Sequence, residues 1–279
     1  MTPTTTPSPA HDAPAEAPAP GAPPPPRMVV RRLGLSAPLR WLALGAKDLR
    51  RHIGIGVFYG LCFWMMALTL GAVFRHKPEY TMTIVSGCLL VGPFMAMGLY
   101  EVSRRLETGA EVALSHSLTC WDQHLGSMGL LVLVLTVLEL LWGRASLVVF
   151  AVFFNTGMPT TATVLEAVFN PRNWEFLAVY TVVGGVFASL VFCSTVVSIP
   201  MILDRDTDAI TAAITSIRVV FENPGVLVFW GALIVVITLL ALMPWALGLL
   251  LAGPLLGHAT WHAYRDAVGW EDAAPAAAA

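Results

Sequence analysis

Charged side chains are scarce in this sequence of 279 residues. Only 12% of the residues are charged and 56% are apolar, whereas a soluble domain carries about 25% charged residues. The formal charge of −2 and the absence of a basic run give no indication of a nucleic-acid partner. This composition predicts a chain whose main solvent is lipid.

Motifs of soluble enzymes are also lacking. The four cysteines form no CxxC pair, and the chain has no phosphate-binding glycine loop, HExxH or GxSxG motif. We therefore expect no catalytic function and no cofactor. The thiols are expected to pack as small apolar side chains in the membrane core. The cysteines are Cys62, Cys88, Cys120 and Cys193.

The two ends of the chain lack apolar runs. The first 26 residues contain ten prolines and no apolar core of a secretory signal. We predict a disordered Pro/Ala-rich cytoplasmic tail over residues 1–35, a membrane domain over 36–268 and a short disordered tail over 269–279.

Long apolar runs fill the region between the tails. A membrane helix needs about 20 predominantly apolar residues, and four runs have this length: Ile53–Phe74, Thr83–Tyr100, Ser127–Phe154 and Phe176–Leu203. A fifth stretch, Val226–His262, has 37 residues without a formal charge. As one helix it would be about 55 Å long, so we predict a turn at Met243-Pro244-Trp245 and two further spans.

The distribution of Lys and Arg predicts the orientation of these six spans. Seven basic residues precede the first span, and five more fall on the same side, against three on the other side. This bias predicts that both termini are cytoplasmic. The cytoplasmic set is Arg27, Arg31, Arg32, Arg40, Lys47, Arg50, Arg51, Arg104, Arg105, Arg205, Arg218 and Arg265; the opposite set is Arg75, Lys77 and Arg172.

An amphipathic stretch precedes each pair of spans. Its apolar residues recur with helical spacing, which puts them on one face. We therefore predict an all-α polytopic bundle of six transmembrane helices in three hairpins, each preceded by an amphipathic interfacial helix. The apolar sets are Leu42, Ala46, Leu49 and Ile53; Leu114, Leu118, Trp121 and Leu125; and Ile210, Ile214, Ile217 and Phe221. Residues 160–169 are predicted to form a short helix outside.

Two charges lie within the third span. Glu139 and Arg144 are about 140° apart around a helix, so they are not ideal partners for each other. A charge at this depth costs about 2.5–3.5 kcal/mol on insertion scales and needs a partner or a polar cavity. Either a buried polar contact that holds the bundle or an ion or substrate relay fits this pattern, and the structural role is favoured.

Polar residues gather at the inner ends of the spans. His258 and His262 are spaced i, i+4 beside Trp261 and Tyr264, which fits either an interfacial belt or a metal or haem site. The belt is favoured, because a metal would need further ligands from Glu101, His116, His124 and Asp204. Asp204-Arg205-Asp206 closes the fourth span and suits a solvated helix start better than a cation site.

Three groups of motifs resemble one known family. They are Leu90-Val-Gly-Pro93 through Glu101 to Glu107, Ser198-Ile-Pro200 through Asp208 to Ser216 with Asn223-Pro224, and Gly257-His258 through Asp266. This pattern is similar to bacterial membrane proteins known as domain of unknown function 2189. The resemblance covers about residues 36–268 and implies no function, because the family has none assigned. Some relatives are labelled cytochrome c oxidase subunit I, but this chain lacks the several membrane histidines that two haems and a copper require.

The sequence leaves three classes of function open. A transport-like or scaffold module of the bacterial inner membrane is the leading hypothesis, because the prolines at 93, 200 and 254 interrupt helices as in transporters. A metal- or haem-binding protein centred on His258 and His262 is the second. An assembly partner of a respiratory or other membrane complex is the third, and homo-oligomers remain compatible with all of them.

Overall fold

The protein is described by a computed structural model over residues 27–77, 80–154, 170 and 173–271. The chain divides into two units, of which Val30–Gly269 contains every helix in these ranges. In the other unit, residues 27–29 and 270–271 belong to strands β1 (Arg27–Val30) and β2 (Val268–Glu271), which pair in a two-stranded sheet. Apart from Val268, the residues of these strands fall inside the predicted tails. Residues 1–26 and 272–279 lie outside the described ranges, so their disorder stays a prediction.

The described fold is otherwise all-α, as predicted. Five segments are long and apolar enough to cross a membrane by length and composition: Ile53–His76, Thr83–Thr108, Leu114–Phe153, Trp174–Arg205 and Pro224–Leu242. They contain helices α2 (Ile53–His76), α3 (Thr81–Thr108), α5 (Leu125–Phe153), α6 (Trp174–Thr195), α7 (Ser198–Arg205) and α9 (Pro224–Leu242). Large apolar side chains on them, such as Val228 and Leu240, are exposed where lipid would contact them.

The fourth predicted span is broken into α6 and α7. Pro200 explains the break, because it lacks an N–H and its ring clashes with the carbonyl four residues earlier, at Val196. The backbone N–H of Val197 instead donates to the Ser216 hydroxyl at 3.4 Å. A neighbouring helix therefore helps to satisfy the interrupted backbone.

The predicted turn after the fifth apolar run is present. Helix α9 ends at Leu242, and α10 (Leu249–Ala267) begins after a six-residue turn. Trp245 and Ala246 have left-handed φ values of 57°. The carbonyl of Trp245 accepts a hydrogen bond of 3.0 Å from Trp64 Nε1, which attaches the turn to α2.

Helix α10 occupies the centre of the helical unit, packed against α1 (Ala37–Arg51), α2 and α3. A Cβ on Gly60 would come within 2.1 Å of the Leu250 carbonyl, and one on Gly45 within 2.7 Å of the Ala259 backbone nitrogen. These contacts run in opposite chain directions, so α10 is antiparallel to α1 and α2. It is not among the five apolar segments. Because α10 is surrounded by protein, it tolerates polar residues that a lipid-facing helix does not.

The predicted amphipathic helices exist, with two differences. The middle one is only α4 (Leu114–Thr119) followed by a 3₁₀ turn at Asp122–His124. In α8 (Ala209–Glu222), capped by Asp208 as predicted, the large apolar face is exposed, with Phe221 at 77%, and small residues are buried instead. That arrangement suits contact with lipid. The predicted outer helix at 160–169 lies outside the described residues.

Candidate functional site

Polar side chains from α1, α3, α7 and α10 meet at one end of the helical unit, which we call the polar end. Its most buried part joins Asp48, Ser103, His258 and His262, which we call the Asp48 network. Ser103 Oγ donates to Asp48 Oδ2 at 2.9 Å and lies 2.8 Å from His258 Nδ1, and His262 Nε2 lies 2.8 Å from the same Asp48 oxygen. Three helices are thus connected through one carboxylate.

The hydrogen-bond directions in the Asp48 network define one histidine tautomer. A serine hydroxyl has a single proton. Since Ser103 uses it on Asp48, the proton between Ser103 and His258 must be on His258 Nδ1. Burial opposes ionisation of Asp48, but hydrogen bonds and charge from His262, with a bond from Ser103, hold the pKa of this carboxyl below its usual value.

A second group, the Asp204 network, joins α3, α7 and α10. Tyr264 Oη donates to Asp204 Oδ2 at 2.7 Å, and Arg265 Nη1 lies 3.6 Å from the same oxygen. Arg265 also forms a bidentate contact with Glu107, whose other bond comes from Trp261 Nε1 at 3.1 Å. The two carboxylates therefore join α3 and α7 to about one turn of α10, through Trp261, Tyr264 and Arg265.

The last turn of α3 contains its own charge cluster. Glu101 is almost fully buried and accepts hydrogen bonds from Arg104 Nε at 2.7 Å and Arg105 Nε at 2.6 Å. In the neighbouring Asp204 network, Arg205 Nε lies 3.4 Å from Asp204 Oδ2. Because two guanidinium groups already pair with the Glu101 carboxylate, this residue stabilises the end of α3 and is not an open metal ligand.

Two sets of long-range contacts attach the segment before α1, and α1 itself, to later parts of the chain. Asp266 accepts hydrogen bonds from Arg40 and, at 2.9 Å, from Trp41 Nε1. Asn223, at the start of α9, accepts from the Leu33 backbone and donates to the Arg31 carbonyl. Residues up to 226 positions apart are joined in this way, so the ends of the membrane domain are attached to each other.

The candidate ligands of the metal-site alternative do not converge in the described structure. Across residues 27–77, 80–154 and 173–271, no group of three His, Cys, Asp or Glu side chains has a geometry that could hold a metal ion. His258 and His262 are bonded to Ser103 and Asp48, and His124 Nδ1 lies 3.0 Å from Asp206 instead. Within the described residues, the structure does not assemble the proposed ligand set.

The two charges of α5 have different surroundings. Glu139 is buried, and Ser86 of α3 donates to its Oε2 at 2.9 Å. Arg144 lies one and a half turns further along and is exposed. This placement agrees with the expectation from helical spacing that Glu139 and Arg144 are not direct partners.

Several residues on which the polar end depends were not predicted from the sequence. Asp48 and Ser103 were not identified, and neither were the contacts of Glu107 and Asp266. Asp48 lies seven residues after Trp41, on the same helical face, and this spacing was the available signal. The predicted face of α1 was centred on Leu42 and Ala46, whereas the buried face carries Trp41, Gly45 and Asp48.

Comparison with known proteins gives one match. Residues 81–204 match the model of the family described as "Predicted integral membrane protein (DUF2189)". The chain is thus similar to this family over 124 of its 279 residues. No curated protein and no solved structure matches it.

The DUF2189 match covers helices α3 to α7. It includes Glu101, Glu139 and Asp204, but not α1 or α10. The resemblance recognised in the sequence extended further, to Asn223-Pro224 and the His258 segment. The match and the five apolar segments together indicate an integral membrane protein, and the match assigns no activity.

Proposed function

We propose that the protein is a six-helix module of the bacterial cytoplasmic membrane without catalytic function, with both termini in the cytoplasm. Its six spans form three hairpins: α2 with α3, α5 with α6 and α7, and α9 with α10. The antiparallel course of α10 against α2 supports the even number of crossings. Twelve basic residues on one side against three on the other support the orientation.

A scaffold role accounts best for the polar end. The observation that carries it is that two carboxylates there, Asp48 and Asp204, bond to groups on other helices. Asp48 of α1 bonds to α3 and α10, and Asp204 of α7 bonds to α10. A ligand site would present polar atoms toward a cavity, whereas these atoms are used to hold the helices to each other.

The scaffold role is tested by comparing two acidic residues. Asp204→Asn removes the charge that Tyr264 and Arg265 contact, so we expect the free energy of unfolding to fall by about 1–3 kcal/mol. Asp122→Asn, at an exposed position, is the control and should change little. Thermal unfolding of the full chain in lipid nanodiscs measures both. Unchanged stability of Asp204→Asn would contradict a structural role.

A transport-like role is the second candidate, and Glu139 favours it. This carboxyl group lies at the midpoint of α5, fourteen residues from either end. An ionisable residue at such a depth is by default a candidate for handling an ion or substrate. Interior prolines at 93 and 254 also leave backbone carbonyls without their usual helical partners.

A further inference from the structure

A pocket lies between α3, α5 and α6, half-way along α5. Its volume is about 560 Å³, which is within the range of about 300–1,000 Å³ that small-molecule sites occupy. Apolar side chains form most of the wall, among them Val85, Leu89, Leu135 and Val191. The pocket belongs to the membrane-spanning part of the family match.

One oxygen of Glu139 has no partner in this pocket. The residue is only 7% exposed. Ser86 donates to Oε2, whereas Oε1 is buried and no group of the described structure hydrogen-bonds to it. A carboxyl oxygen buried without a donor is costly. The site is thus incomplete without a hydrogen-bond donor or a positive charge.

Aromatic rings are the other specific feature of the wall. Trp142 and Phe187 both line the pocket, with ring centroids 5.8 Å apart, and Phe192 lines it as well. Tyr180 packs edge-on against Trp142 at 5.2 Å and fixes its position. Faces of such rings attract cations that have lost their water.

We propose that this pocket binds a lipophilic organic cation, with Glu139 as the counter-charge and the aromatic rings as its walls. An inorganic cation would need several oxygen ligands, and the wall is mostly apolar. A neutral apolar molecule would leave Oε1 of Glu139 without a partner. This inference names a ligand class for the transport-like candidate. It rests on the proposed membrane location of α3, α5 and α6. Its test measures binding of the cation and does not require that the protein transports it.

The test uses two probes of similar shape and opposite charge. Tetraphenylphosphonium and tetraphenylborate are titrated into the full chain in nanodiscs by calorimetry, with empty nanodiscs as the blank. We expect saturable binding of the phosphonium ion and none of the borate ion. Equal binding of both ions, or no saturable phosphonium binding, would overturn the proposal. Binding without ion flux in proteoliposomes would reject only the transport-like role.

Variants locate the site. Glu139→Gln keeps an acceptor for Ser86 but removes the charge, so phosphonium affinity should fall roughly tenfold or more. Gly184→Leu should block binding, because a Cβ there already meets the Trp142 ring at 3.0 Å. Gly185→Leu is the control, since a Cβ at Gly185 meets nothing within 4 Å. Wild-type affinity in Glu139→Gln would overturn the assignment. If that variant does not fold, the comparison of the two probes on the wild-type chain decides.

Discussion

At the scale of single residues, Asp48 shows how the polar end tolerates a buried charge. Removing a carboxylate from water is costly unless other groups replace the lost hydration. Ser103 and His262 both contact Oδ2 of Asp48. Their combined effect outweighs burial and leaves the pKa of Asp48 lowered. The ionised form therefore stabilises the contact between α1 and α10.

This lowered pKa gives a prediction for the dependence of stability on pH. The contribution of Asp48 is complete above its ordinary pKa of 3.8 and is lost as the pH falls through the lower value of the folded state. Asp48→Asn should cost about 1–3 kcal/mol at neutral pH. The difference in unfolding temperature between wild type and variant, measured in nanodiscs, should shrink below pH 3.8. A difference that stays constant down to pH 2 would contradict this.

At the scale of elements, close backbone approach places α10 in the centre. Small residues allow membrane helices to approach closely, and van der Waals contacts then hold them together. Gly60 of α2 faces the backbone of Leu250, and Gly45 of α1 faces that of Ala259. The neighbouring backbone cannot move aside as a flexible side chain can. The central position of α10 thus depends on these glycines more than on the hydropathy of α10 itself.

Two glycines of α2 provide a matched test of this packing. A Cβ on Gly60 would come within 2.1 Å of the Leu250 carbonyl oxygen, whereas a Cβ on Gly54 meets nothing within 4 Å. Gly60→Ala should therefore lower the free energy of unfolding by about 1–3 kcal/mol. Gly54→Ala should be neutral or stabilising by up to about 1 kcal/mol, because alanine favours the helix. Unfolding in nanodiscs measures both, and equal effects would count against the close approach.

Local rules predicted the elements of this chain better than their contacts. Hydropathy found the apolar segments, and Pro244 located the turn between α9 and α10, because these signals act over neighbouring residues. An interruption was expected at each of three prolines; a break separates α6 from α7 just before Pro200, whereas α3 and α10 continue through Pro93 and Pro254. The partners of Asp48 are 55 and 214 positions away. Such pairs depend on how helices pack, which one sequence does not reveal.

At the scale of the whole molecule, the polar end explains how charge is distributed along the chain. Arg40, Arg105 and Arg265 are far apart in sequence, but each pairs with an acidic group at the same end. The same residues belong to the set that predicts a cytoplasmic orientation. In the proposed orientation, basic residues at this end would therefore serve both insertion and the assembly of helices.

Labelling of single cysteines tests the orientation and the sixth crossing together. In a background without native cysteines, Met243→Cys reports the turn before α10, and Leu35→Cys reports the segment before α1; both positions are exposed, at 68% and 71%. An impermeant maleimide added to intact cells should label Met243→Cys, and Leu35→Cys only after permeabilisation. Reporter fusions after Lys77, Glu107, Arg172, Asp206 and Glu271 should read outside, inside, outside, inside and inside. An outside signal at Glu271 would mean that α10 does not return across the membrane.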